Sequence, residues 1–146
     1  MQLNRKGFTL IELLVVIGIL AVLLSIVLVA INPARQFAQA NNTKRSSDVN
    51  AILNAISQYQ TDNRGQLPPG ISSTSAQTIS NAGGVDLCQY LVSTYIAQMP
   101  ADPVAGSYTS CATYDTGYQV IRSATNNRVT VTAPNAELGA SITVTR

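Results

Sequence analysis

The stretch Arg5–Ile31 reads RKGFTLIELLVVIGILAVLLSIVLVAI. After Arg5, Lys6 and Gly7, only Thr9, Glu12, Gly18 and Ser25 interrupt the apolar residues. At 1.5 Å per residue, a helix over 8–31 is about 36 Å long, enough to cross a hydrocarbon core of about 30 Å with some tilt. The two cations ahead of it keep the start of the chain on the cytoplasmic side and send the remainder outward. The run is longer than the roughly 7–15 apolar residues of a cleavable secretory signal. Glu12 does not belong in such a helix on hydropathy grounds. A carboxylate near the middle of a bilayer costs on the order of 2.5–3.5 kcal/mol, and less near an end, so this one needs a partner, a route to the interface or a proton.

The remaining composition narrows the chemistry. The chain has 146 residues, enough for one domain and crowded for two. It contains no His and no Trp, which excludes Ser-His and Cys-His nucleophilic sites and imidazole metal sites. Two cysteines cannot build a Cys₄ or Cys₂His₂ zinc centre. Charged residues make up 11% of the chain, against roughly 25% in an ordinary soluble domain. The formal charge of +2 is local, because it disappears when Arg5 and Lys6 are set aside. A nucleic-acid surface therefore has no electrostatic footprint here.

Lys6-Gly7-Phe8-Thr9-Leu10-Ile11-Glu12 followed by an apolar rod resembles the start of type IV pilins and of the pseudopilins of type II secretion and competence systems. The resemblance implies that a prepilin peptidase cuts between Gly7 and Phe8 and that the new amino group of Phe8 is methylated. It also implies that Glu12 of one subunit meets the amino terminus of a neighbour and sets their stagger. Physical chemistry fits this assignment. The cut removes Arg5 and Lys6 and leaves an ammonium at the positive end of a helix dipole, where a cation is disfavoured and needs an anion. Glu12 is the only acidic residue of the rod.

Beyond the rod, Asn32-Pro33 breaks the apolar run, and Gly18 and Pro33 are the expected kink positions in a helix that otherwise continues. Phe37, Ala38, Asn41, Arg45, Val49, Ile52, Leu53, Ile56 and Tyr59 follow helical spacing and form a stripe. Lys44, Arg45, Asp48 and Asp62 are expected mostly off its apolar side. Asn63-Arg64-Gly65 is the stop signal. A continuous helix over 8–63 would be about 84 Å long. Residues 72–84 read as a polar surface loop and residues 85–99 hold a short helix with Leu87, Leu91 and Tyr95 inward. Residues 117–122, 128–133 and 141–146 read as strands, with 123–127 as a hairpin connection. The resulting organisation is a leader over 1–7, a transmembrane or filament-core half-helix over 8–31, an amphipathic half-helix over 32–65 and a head over 66–146. The fold class is α+β: a long amino-terminal helix packed against a small antiparallel sheet, as in pilins.

Cys88 and Cys111 lie in the exported part, where disulfides persist, and their spacing is not that of a redox CxxC pair. A bond between them is expected. Asp86, Asp102 and Asp115 match no complete calcium loop and read as turn or cap residues. Tyr90, Tyr95, Tyr108, Tyr114 and Tyr118 could stack on single-stranded DNA, but no basic patch accompanies them, so a nucleic-acid partner is not indicated. Asn41-Asn42-Thr43 fits a glycosylation acceptor. No nucleophile-base pair can be assembled, and neither a cofactor nor a metal is called for.

The functional expectation is a structural subunit of an extracellular type IV pilus, serving motility, adhesion or DNA uptake. Its partners would be copies of itself, prepilin peptidase, an assembly platform with its ATPase, and the cytoplasmic membrane before assembly. One alternative is a pseudopilin of a type II secretion or competence system. Another, of a different class, is a membrane-anchored binding domain that never polymerises.

Overall fold

The computed structural model describes residues 7–146. Arg5, Lys6 and the rest of the leader before Gly7 lie outside the described residues. Contacts divide the chain into two compact units, residues 1–37 and 38–146.

In the first unit, helix α1 runs Leu10–Ile31. None of its residues is buried. Its Leu, Ile and Val side chains are about half exposed or more. Gly18 sits inside α1 with open space around its α-carbon and interrupts nothing. The break expected near Pro33 is sharper than a kink. α1 ends at Ile31, and helix α2 begins at Pro33 and runs to Asp62, with Asn32 between them at φ 47° and ψ 78°. Asn32 precedes a proline, which disfavours the right-handed helical region, and asparagine enters the left-handed region more readily than most residues. The same residue starts the next helix. Its carbonyl and its Oδ1 accept from the Arg35 amide at 3.1 and 3.3 Å.

The second unit packs the rest of α2 beside a five-stranded antiparallel sheet. Its strands are β1 (Gln77–Ser80), β2 (Ser107–Ser110), β3 (Thr113–Arg122), β4 (Val129–Ala133) and β5 (Ile142–Thr145). The order is β1-β3-β4-β5, with β2 also paired to β3. Helix α3 is a single turn, Cys88–Leu91, with Leu87 and Leu91 fully buried and Tyr95 half-buried. Alternation puts Tyr118, Val120, Val129, Val131 and Ala133 on one sheet face, where they share a core with Val49, Ile52, Leu53 and Ile56 of α2. Burying each such aliphatic chain contributes about 1.5–3 kcal/mol. β1 and β2 fall in stretches whose polarity gives no strand signal. Both are held by pairing with β3, a contact that local pattern does not encode. Cys88 at the start of α3 and Cys111 between β2 and β3 are joined by a disulfide, with their α-carbons 5.4 Å apart.

Arg45, which shares the stripe's spacing but is expected with the charges mostly off its apolar side, is buried on the inner face of α2. It is 1% exposed, and its Nε donates to Asp102 Oδ2 at 2.6 Å while a terminal nitrogen donates to Glu137 Oε2 at 2.7 Å. Asn42 adds a reciprocal pair with the Glu137 backbone, at 2.8 and 2.9 Å. One side chain thereby fastens two loops to α2. The Asp102 loop is closed by amides of Val104 and Ala105 donating to Oδ1, each at 2.9 Å. Gly106 completes it, because a β-carbon there would strike the Asp102 amide and the Thr116 carbonyl.

Burial pushes the Asp102 carboxyl up, but the bond from Arg45 and the amides of Ala105 and Val104 outweigh it and hold the group below the usual aspartate range. Arg45, then Asn41, likewise lowers Glu137. Carboxyls lowered in the folded state contribute stability above their unfolded values near 4, and that stability is lost as pH falls through the folded values. Calorimetry of the detergent-solubilised chain should therefore show a head transition that is flat from about pH 7 to 5 and falls below about pH 4. Arg45→Met should cost about 3–5 kcal/mol at neutral pH, because it strands a buried carboxylate. Acidification should then relieve the variant rather than weaken it, and an unchanged acid profile would contradict this assignment.

Candidate functional site

The candidate site is the amino-terminal end of α1. The sequence Thr9-Leu10-Ile11-Glu12 carries the spacing of a capping box, in which a hydroxyl and an acid three residues apart satisfy each other's exposed backbone amides. Thr9 stands at the helix start in extended backbone, with φ −79° and ψ 152°. Its Oγ1 accepts from the Glu12 amide at 3.2 Å. Glu12 Oε2 accepts from the Thr9 amide at 2.8 Å and from the Thr9 hydroxyl at 2.7 Å. Both bonds fall on one oxygen. Among the described residues, nothing donates to Oε1.

Thr9 is a partner of Glu12 that the Thr-x-x-Glu spacing in the sequence is sufficient to find. The capping box changes what Glu12 requires. Part of its charge is already met by its own helix end, where the dipole favours an anion, and one oxygen is left without a donor among the described residues. Gly7 and Phe8 precede the helix in irregular, exposed backbone, and Phe8 is 87% exposed. A β-carbon added at Gly7 would meet nothing within 4 Å. The fold itself therefore does not require glycine at this position.

The remaining candidates are dispersed. Asp86 accepts from the Tyr114 hydroxyl at 2.8 Å and the Cys88 amide at 3.1 Å. Asp102 is occupied by Arg45, and Asp115 accepts from the Gly117 amide at 2.9 Å. Among the described residues, no three His, Cys, Asp or Glu side chains cluster as a metal site would need. Tyr114 and Tyr118 are buried. Tyr59 meets Tyr90 and Tyr95 edge-on, each at 6.0 Å between ring centres, an internal arrangement rather than an open stacking platform. Asn41 spends its Nδ2 on Glu137 at 3.0 Å, so the glycosylation acceptor nitrogen is engaged.

The family model for the prokaryotic N-terminal methylation motif matches residues 2–28. With that motif at the head of an apolar helix and a small antiparallel sheet beyond it, the chain belongs to the type IV pilin and pseudopilin family, whose members are structural subunits. Among characterised relatives, it is 32% identical over 109 residues to the type II secretion system core protein G of Aeromonas hydrophila, covering 74% of each chain. To the protein of the same name from Escherichia coli K12 it is 33% identical over 109 residues, covering 72% of this chain and 70% of that one. No solved structure matches.

Thr9→Val keeps size and removes the hydroxyl. In detergent micelles it should speed amide hydrogen exchange at Glu12 by about fivefold while leaving residues beyond Val16 unchanged, the scale of losing about 1 kcal/mol of capping. Exchange that is unaltered at Glu12 would mean that the hydroxyl carries no part of the cap.

Proposed function

We propose that this chain is a pseudopilin, a structural subunit of a secretion apparatus of the type II class. Removal of residues 1–7 by prepilin peptidase, with methylation of Phe8, prepares it to polymerise through α1. The observation that carries this reading is the extent of the likeness to core protein G. It covers 109 residues, far beyond the motif at 2–28, and so includes much of the head. The amino-terminal motif serves pilins and pseudopilins alike, whereas the head differs between subclasses. The reading therefore moves from a subunit of an extracellular adhesive or motile pilus, the first expectation, to a subunit of a type II secretion system.

The mechanism is assembly and involves no chemical conversion of a substrate. Before assembly, α1 sits in the cytoplasmic membrane, where its exposed Leu, Ile and Val side chains match the lipid. The Thr9 cap reduces what Glu12 would otherwise lose there. On assembly, the rods leave lipid for one another, and the Phe8 ammonium of one subunit reaches the unoccupied Oε1 of Glu12 in the next. Because the contact joins unlike faces, it propagates as a helix instead of closing. The partners of this reading are further copies of the chain, the peptidase, and an assembly platform with its ATPase. A membrane-anchored domain that stays solitary would use only the Oε2 of this carboxylate, in the Thr9 cap, and would leave Oε1 without a use.

Mass spectrometry of the mature chain should give an amino terminus at N-methylated Phe8, and a retained Met1 would contradict the processing step. Glu12→Ala should still insert in the membrane and be cut, yet reduce fibre yield by about a hundredfold or more, the scale of leaving a charged partner unpaired in a dry interface. Wild-type fibre yield from Glu12→Ala would refute the pairing.

A further inference from the structure

Beyond Phe37, the exposed large hydrophobic side chains among the described residues are Val104, 70% exposed, and Leu138, 56% exposed. They are far apart in sequence, yet their loops are fastened to one point. Asp102 and Glu137, one on each loop, both bind the Arg45 guanidinium. The Val104 amide donates to Asp102 Oδ1 at 2.9 Å, and Leu138 directly follows Glu137. Each side chain belongs to a run without a polar side chain, Pro103-Val104-Ala105 in the first loop and Leu138-Gly139-Ala140 in the second, and all six residues are exposed.

Leu138 is held at φ 57°. Asparagine and glycine take this left-handed conformation with less strain, and a large apolar residue is uncommon there. A β-carbon added at the neighbouring Gly139 would meet nothing within 4 Å, so the second tip has open space beside it. Folding alone would favour a polar residue or glycine at Leu138. An apolar side chain kept at a strained, open position points to something that covers it.

Position along the chain selects the cover. The Glu137 backbone is bound reciprocally to Asn42, which stands nine residues after Pro33 on α2, about 14 Å along that helix. Arg45 stands about 18 Å along it. Pro33 itself is two residues past Ile31, the end of the helix that is long and apolar enough to cross a membrane. While α1 is in the bilayer, the chain holds both tips near the place where it leaves the lipid. The charges beside the tips are taken up in ion pairs, Lys44 with Asp48 and Arg45 with Asp102 and Glu137. The attraction on offer is therefore apolar, and a zwitterionic lipid satisfies it.

We propose that Val104 and Leu138 form a foot by which the head rests on the bilayer surface, their side chains entering the boundary between headgroups and acyl chains while α1 spans the membrane. This rests on the reading of α1 as a spanning helix. The foot holds the head down before assembly and is released when the rod leaves the lipid.

The chain contains no Trp, so a single introduced Trp reports alone. The full chain is reconstituted in phosphatidylcholine vesicles with and without acyl-brominated phosphatidylcholine, which quenches indole on contact. Val104→Trp and Leu138→Trp should each lose about half of their emission or more, whereas Thr125→Trp, in the exposed turn between β3 and β4, should lose almost none. Indole itself favours membrane interfaces, so a second arm removes the native neighbour. Adding Leu138→Asp to Val104→Trp should restore at least about half of the lost emission. Raising the salt concentration should leave the quenching unchanged, and its loss in salt would overturn an apolar contact. Leu138→Asn should melt no lower than the wild-type chain, because asparagine suits the left-handed backbone, and a clear fall would assign Leu138 to the fold instead. Quenching at 104 and 138 no greater than at 125 would overturn the proposal, including the case in which those positions cross-link to a second copy and so belong to a protein contact. Leu20→Trp within α1 is the separate control, since its escape from quenching would refute the spanning reading itself.

Discussion

A single carboxylate in an otherwise apolar helix constrains everything else about this protein. A spanning helix of Leu, Ile and Val has no directional preference among its neighbours in lipid, because hydrocarbon solvates it as well as another rod would. Glu12 breaks that indifference. Its charge is tolerated only where donors reach it, and the Thr9 cap supplies two of them on one oxygen. In the proposed assembly, the other oxygen is the point at which a second subunit improves on the membrane. The same residue therefore permits residence in lipid and gives a reason to leave it.

The head answers a different demand. It is small, and its core of aliphatic and tyrosine side chains is supplemented by two fixed connections, the Cys88–Cys111 bond and the Arg45 cluster. The cluster ties together loops far apart in sequence, 57 residues in the case of Arg45 and Asp102. An ion pair of this kind adds less net stability than its close geometry suggests, since both charges must shed water. Its better-founded role is to fix which loop arrangement the head adopts.

Much of this was legible in the sequence, and the exceptions have physical causes. The apolar run over 8–31 and the alternation of Val129–Ala133 and Ile142–Thr145 are local patterns, and each became the element it suggested. Strands β1 and β2 were hidden because residues such as Gln77-Thr78 and Ser107-Tyr108 gain strand geometry only by pairing with β3. The helix was read as continuing through Pro33. The added left-handed turn at Asn32 depends on a residue able to serve two helix ends at once. The spacing places Arg45 on the stripe, but its burial was not legible, because its counter-ions come from loops that no local window includes. At the site itself, Gly7, Phe8 and Glu12 are legible by their spacing, and the Thr9–Glu12 capping box is legible in the same motif.

The most direct measurement is a reconstruction of isolated fibres by electron cryomicroscopy at a resolution that shows side chains. It should place the Glu12 carboxylate within about 4 Å of the Phe8 nitrogen of an adjacent subunit, with no residue present before Phe8, the separation at which such a pair is an ion pair. A fibre in which Glu12 faces only its own Thr9, with every Phe8 nitrogen distant from it, would contradict the account.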